Sequence, residues 1–162
     1  MARARPGSPR SWRSAVLTVL VLLAALPARS SVGDIYPPPQ QAKSDLAGAV
    51  AAAAAAHKRV ILDFGGNWCP DCHALDRYFQ DPANRGILDT HYVLVHINVG
   101  RLNENLDIAE RYKIPLRKGV PALAVLGEGG ELLYSQRTGE FEAMRGMQAS
   151  AVTDFLLRWK PP

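Results

Sequence analysis

The sequence predicts an α/β fold: a central mixed sheet, made of a β-α-β unit, a β-hairpin and a C-terminal helix, flanked by helices. Three observations carry this. The apolar runs "RVILDF" (59–64) and "YVLVHINV" (92–99) are separated by stretches of helical character, the pattern of a parallel crossover. "PALAVL" and "ELLYSQ" flank the glycine-rich "GEGG", which makes a hairpin. Val152, Phe155, Leu156 and Trp159 then recur at i, i+3, i+4 and i+7, one face of an amphipathic helix.

Before these elements lie two segments outside the fold. Residues 1–30 carry Arg3, Arg5, Arg10 and Arg13 ahead of the apolar run "AVLTVLVLLAAL", with Ala28 and Ser30 as small residues at a cleavage point after Ser30. That run has the length of a signal-peptide core and is short for a membrane span, so a cleaved signal peptide is expected, with an uncleaved anchor as the alternative. No cysteine follows the run directly, which argues against a lipid anchor. Residues 31–41, "SVGDIYPPPQQ", read as a proline-rich tether held extended by three successive prolines. Residues 42–162 form the expected single domain.

The domain opens on a helix through "SDLAGAVAAAAAAHK", whose alanines favour helix and offer a thin packing face. The run 59–64 suits a strand buried on both sides. "GGN" breaks it, and a helix starts at Cys69 with Pro70 tolerated in its first turn. "DPANRGILD" gives a second short helix, capped by Asp81 before Pro82. "NENLDIAERY" is a further helix that ends at Ile114-Pro115. The "GEGG" glycines are a poor phosphate cradle, because a strand follows them and not a helix.

Charge narrows the function. Five of the nineteen Lys and Arg and none of the fifteen acids lie in residues 1–30, which leaves fourteen basic residues against fifteen acidic ones and a net charge of −1. A nucleic-acid partner loses its electrostatic motive. With no second long apolar run, the mature chain is expected to leave the membrane. About 130 residues suffice for one core.

The only two cysteines lie in "FGGNWCPDCHALD". Export places them where disulfides persist. A bridge between residues three apart closes a small loop and restrains the unfolded chain little, so reactivity explains the pair better than stapling. The motif also reads as a c-type haem attachment site, Cys69-Pro70-Asp71-Cys72-His73, with Met144 or Met147 as distant axial partners. Against haem stand the strand-like runs 59–64 and 92–99. A zinc site would need more ligands than two Cys and the scattered His57, His91 and His96. No metal site is expected.

Trp-Cys-x-x-Cys directly after the first strand, within this order of elements, resembles the thioredoxin superfamily. The resemblance runs from about Ala42 to Trp159 and rests on four places: Asp63, six residues before Cys69; "WCPDC"; "GVPALAVL" (119–126); and Gly139 in "RTGEF". In detail the chain is similar to small exported bacterial thioredoxin-like proteins. The resemblance implies that Asp63 is a buried acid beneath the dithiol. It also implies a cis bond at Pro121, beside which the Val120 backbone pairs with an extended substrate segment.

The chemistry expected of such a site follows from the residues. Helix N–H groups and the dipole stabilise a Cys69 thiolate, which attacks a substrate disulfide. Cys72, one turn on, displaces the product, and Asp63 is the candidate to take its proton. Trp68 shapes the rim. Pro70 and Asp71 stand where the family's ordinary members carry Gly-Pro and are expected to tune the potential. Asp71 would oppose the Cys69 thiolate, and Arg117 and Lys118 in "PLRK" would offset it if that loop folded over the site. The expectation is a monomeric periplasmic or secreted thiol–disulfide oxidoreductase, more a reductase than an oxidant. It would need no bound cofactor and would exchange electrons with a redox partner protein. The alternative is a redox-idle binding module that docks through the Val120-Pro121 groove.

Overall fold

Four strands form one sheet in the order β2-β1-β3-β4. Strand β1 (Arg59–Gly65) is parallel to β2 (Tyr92–Asn98) on one side and antiparallel to β3 (Ala122–Leu126) on the other, and β4 (Leu132–Ser135) pairs antiparallel with β3 at the edge. Helices α1 (Ala42–Ala56), α2 (Pro70–Gln80), α3 (Pro82–His91), α4 (Leu106–Arg111) and α5 (Ala149–Trp159) complete the order, with short 3-10 turns at Pro39–Gln41, Leu116–Lys118 and Met144–Gly146. This computed structural model describes Met1 and residues 33–162; the expected signal peptide at 1–30 lies, but for Met1, outside the described residues. Among the described residues no helix is long and apolar enough to cross a membrane.

The largely apolar character of β1 has a direct cause: both of its faces are covered. Val60, Leu62 and Phe64 pack with Leu46, Ala49 and Ala53 of α1, while Ile61 packs with Leu75 and Phe79 of α2 and Val152 and Leu156 of α5. Alternation along the strand sends successive side chains to opposite faces. On α1 the buried residues are Ala42, Leu46, Ala49 and Ala53, a narrow stripe of mostly small side chains. Asp81 closes α2, and its side chain accepts from the Ala83 N–H (3.1 Å) to open α3.

The expected tether departs from expectation over its described part. Both the Ile35 and Tyr36 N–H groups donate to Asn67 Oδ1 (2.9 Å each), and Asn67 Nδ2 donates back to the Tyr36 carbonyl. Asn98 Nδ2 donates to Pro37 O (2.8 Å) and Asn105 Nδ2 to Pro39 O (2.9 Å). Prolines have no N–H with which to join a sheet. Their carbonyls are met instead by asparagine amides. The segment is thereby fixed to the domain, and Tyr36, 2% exposed, enters the core.

Candidate dithiol site

Cys69 is the N-cap of α2 and Pro70 its first residue, so the chain leaves β1, crosses Gly66 and Asn67, and delivers one sulfur to a helix N-terminus. Pro70 suits that position because its missing N–H would have no helical partner. Cys69 and Cys72 are joined as a disulfide with Cα atoms 5.3 Å apart. The Cys72 N–H points at Cys69 Sγ (3.1 Å), and the Val120 carbonyl oxygen lies 3.5 Å from the same sulfur. In the dithiol form that N–H, with the helix dipole, stabilises a Cys69 thiolate.

Asp63 lies fully buried on β1, in register with His96 on β2. Its Oδ2 accepts from the Tyr36 hydroxyl (2.8 Å) and faces His96 Nδ1 (3.0 Å), whereas Oδ1 is a buried oxygen with no hydrogen-bond partner among the described residues. Burial pushes the Tyr36 phenol well above its ordinary range, and the Asp63 charge and hydrogen bond push it further. Burial alone would lower the His96 imidazole, but the hydrogen bond and charge of Asp63 outweigh it and raise its pKa. The Tyr36 and His96 rings also meet edge to face, with centroids 5.2 Å apart.

The other expected residues gather around the dithiol, with one correction. The Val120–Pro121 bond is cis. Buried Gln136 braces that turn: its Oε1 accepts from Leu123 N (3.0 Å), and its Nε2 donates to Pro121 O (3.4 Å). Trp68 is 39% exposed on the rim. Its indole N–H donates to the Gly100 carbonyl, and Arg101 lies over its ring. Asp71 does not stand unanswered beside Cys69. Arg145 donates to it from its backbone N–H (2.8 Å) and from Nε (3.1 Å). Partial burial would raise the Asp71 carboxyl, but these two bonds and the Arg145 charge hold it below the usual carboxylate range. The cation that offsets Asp71 is thus Arg145, from the turn before α5, and not the exposed Arg117 and Lys118.

Sequence reasoning missed Tyr36, Asn67, His96 and Arg145. Tyr36 was detectable as a lone aromatic among prolines, beside Ile35. Asn67 and His96 give no signal without the register of β1 on β2, and Arg145 is 74 residues from its partner. The haem alternative fits the residues poorly. Both sulfurs bond to each other, and His73 Nε2 lies 2.8 Å from the Asn67 carbonyl oxygen. Among the described residues no group of three or more His, Cys, Asp or Glu is gathered as a metal site.

A vicinal cysteine pair at a helix N-terminus, facing a cis-proline turn at the end of a four-stranded mixed sheet, defines a dithiol protein of thioredoxin fold. Residues 41–127 match the Thioredoxin-like family. A disulphide isomerase from Xylella fastidiosa superposes with a TM-score of 0.73 at 32% identity, over 76% of this chain and 95% of that one. The chain belongs to the thioredoxin-like family. It is 27% identical over 119 residues to the thiol:disulfide interchange protein DsbD of Pseudomonas fluorescens, covering 72% of this chain but 18% of that protein. It is 29% identical over 59 residues to thioredoxin-3 of Dictyostelium discoideum, covering 36% of this chain and 54% of that one. The chain thus spans about half or less of the length of these two curated relatives.

Proposed function

We propose that this chain exchanges disulfides with protein substrates through Cys69 and Cys72, in the reducing or isomerising direction, after export to the periplasm. The observation that carries the reading is the Cys72 N–H aimed at Cys69 Sγ at the start of α2 (3.1 Å), which supports Cys69 as the nucleophile. The Cys69 thiolate attacks one sulfur of a substrate disulfide, and the other leaves as a thiolate. Cys72, deprotonated, attacks Cys69 Sγ and releases the second substrate thiolate, so two electrons pass from the dithiol to the substrate. Val120, Pro121 and Trp68 receive the extended substrate segment, and Pro70 and Asp71 tune the potential. A redox partner protein resets the dithiol. The arginine-rich apolar leader at 1–30 supports export. The isomerase likeness at 32% identity supports the direction. We place the potential between the thioredoxin and protein disulfide isomerase values of about −270 and −180 mV.

The test is turnover. The protein, supplied with a reductant, should reduce a model protein disulfide, and Cys69→Ser should abolish this. Undiminished turnover by Cys69→Ser would refute Cys69 as the nucleophile, and no turnover by the native chain would leave a binding module in its place.

A further inference from the structure

Cys72 is completely buried and so is Asp63, the carboxylate expected to receive its proton. What stands between them is shown at Gly65, the last residue of β1. A Cβ built there would meet Cys72 Sγ at 2.7 Å and would collide with the Tyr36 hydroxyl as well. The thiol sulfur and the phenol oxygen therefore border one small space, kept open because residue 65 has no side chain. From that space the same hydroxyl donates to Asp63 Oδ2 (2.8 Å). A phenol has one proton to give and lone pairs with which to accept another. With its own proton directed at Asp63, its oxygen is free to accept from a Cys72 S–H.

We propose that Tyr36 relays the Cys72 proton to Asp63 and that His96 passes the charge on to solvent. The inference rests on the dithiol chemistry proposed above and concerns only its second step. In the mixed disulfide, the Cys72 S–H proton moves to the Tyr36 oxygen as the Tyr36 O–H proton moves to Asp63 Oδ2. Tyr36 ends as it began, Asp63 is neutral and Cys72 is a thiolate. That thiolate bonds to Cys69 Sγ, the Cys69–substrate bond breaks, and the substrate sulfur leaves with the electron pair. Asp63 then releases its proton through His96, whose side chain is 20% exposed and which lines an open cleft with Pro37, Ser44 and Asp45. The substrate thiolate takes its proton from water.

Two further features suit the relay. The Tyr36 phenol is held well above its ordinary range by burial and by Asp63, so it stays protonated and transmits a proton without storing one. The charges that face the pathway from neighbouring helices are Asp76 on α2, which bears on both Tyr36 and His96, and Asp45 on α1 at the cleft. Asp45, beside His96 at the cleft, favours a proton moving outward, while Asp76 strengthens the hold of both Tyr36 and His96 on their protons.

The experiment separates the two steps by rapid mixing with a fluorogenic disulfide substrate: attack by Cys69, then resolution by Cys72. Tyr36→Phe keeps the ring and removes the hydroxyl. Attack should be unchanged, while resolution should slow about tenfold or more at pH 7. Its rate should then climb about tenfold per pH unit toward the thiol range near ~8.5, because the proton must leave to solvent. A second measurement uses the native chain alone: resolution in mixtures of light and heavy water should depend on deuterium content with the curvature of two protons in flight. An unchanged resolution rate and pH profile in Tyr36→Phe, equal slowing of both steps, or a linear deuterium dependence would overturn the relay. Absence of the attack step in the native chain would overturn the dithiol reading itself, and the relay with it.

Discussion

Gly65→Ala tests how closely Cys72 and Tyr36 are packed beside Asp63, because it inserts one methyl group where Cys72 and Tyr36 meet. The new Cβ would lie 2.7 Å from Cys72 Sγ and closer still to the Tyr36 hydroxyl. Comfortable contact between such atoms begins at about 3.5 Å. Neither neighbour has a simple escape. The sulfur is held in the disulfide to Cys69, and the Tyr36 backbone is pinned by Asn67. Overpacking of this kind costs about 1–3 kcal/mol. If the phenol swings away, Asp63 Oδ2 loses a buried hydrogen bond, at a further cost of about 1–3 kcal/mol. The total, about 2–6 kcal/mol, is a large share of the ~5–15 kcal/mol that stabilises a domain. At about 4 °C per kcal/mol for this size, the melting midpoint of the oxidised protein should fall by roughly 8–24 °C. Calorimetry of native and variant chains reads this directly. A midpoint within about 2 °C of the native value would refute the packing on which the site description rests.

Three other substitutions have definite expected outcomes. Gly48→Ala is the control on α1, where an added Cβ meets nothing within 4 Å; it should stabilise the chain by about 0.5–1 kcal/mol in the same calorimetry. Arg145→Ala takes the guanidinium from Asp71 and keeps only the backbone N–H bond, so the Asp71 carboxyl should titrate higher and the Cys69 thiolate should lose stability. The reduction potential should then become more negative by less than about 20 mV, since an exposed charge at this range is worth under about 1 kcal/mol; a shift to a more oxidising value would count against the pairing. His96 is raised above its unfolded value by Asp63, so its contribution to stability is full below about pH 6.5 and fades as pH rises through the folded value. The stability gap between native chain and His96→Gln should therefore be wide in mild acid and narrow in alkali, as read by urea unfolding across pH.

The order of elements along the chain and the dithiol were legible because their signals are local. The run 59–64 is apolar except for Arg59 and Asp63 because β1 is buried on both faces, and Pro70 after Cys69 marks a helix start within two residues. What stayed hidden depends on contacts across the sequence. Residues 33–41 lack periodicity, since their ordering comes from Asn67, Asn98 and Asn105 and not from a pattern of their own. Asp71 looked like an uncompensated charge because nothing near it in sequence announces Arg145. His96 read as one of several scattered histidines, and only strand register sets it opposite Asp63. A buried polar cluster assembled from three separate segments leaves no spacing to find.

The central claim is that Cys69 attacks and Cys72 resolves. Disulfide trapping tests it most directly: Cys72→Ser and Cys69→Ser chains, expressed in parallel and recovered under acid quench, are compared on non-reducing gels. Cys72→Ser should accumulate reductant-sensitive mixed disulfides with client proteins, because its nucleophile is intact and nothing resolves the adduct. Cys69→Ser should trap almost nothing. Equal trapping by both variants, or trapping by Cys69→Ser alone, would contradict the assignment drawn from the Cys72 N–H and the start of α2.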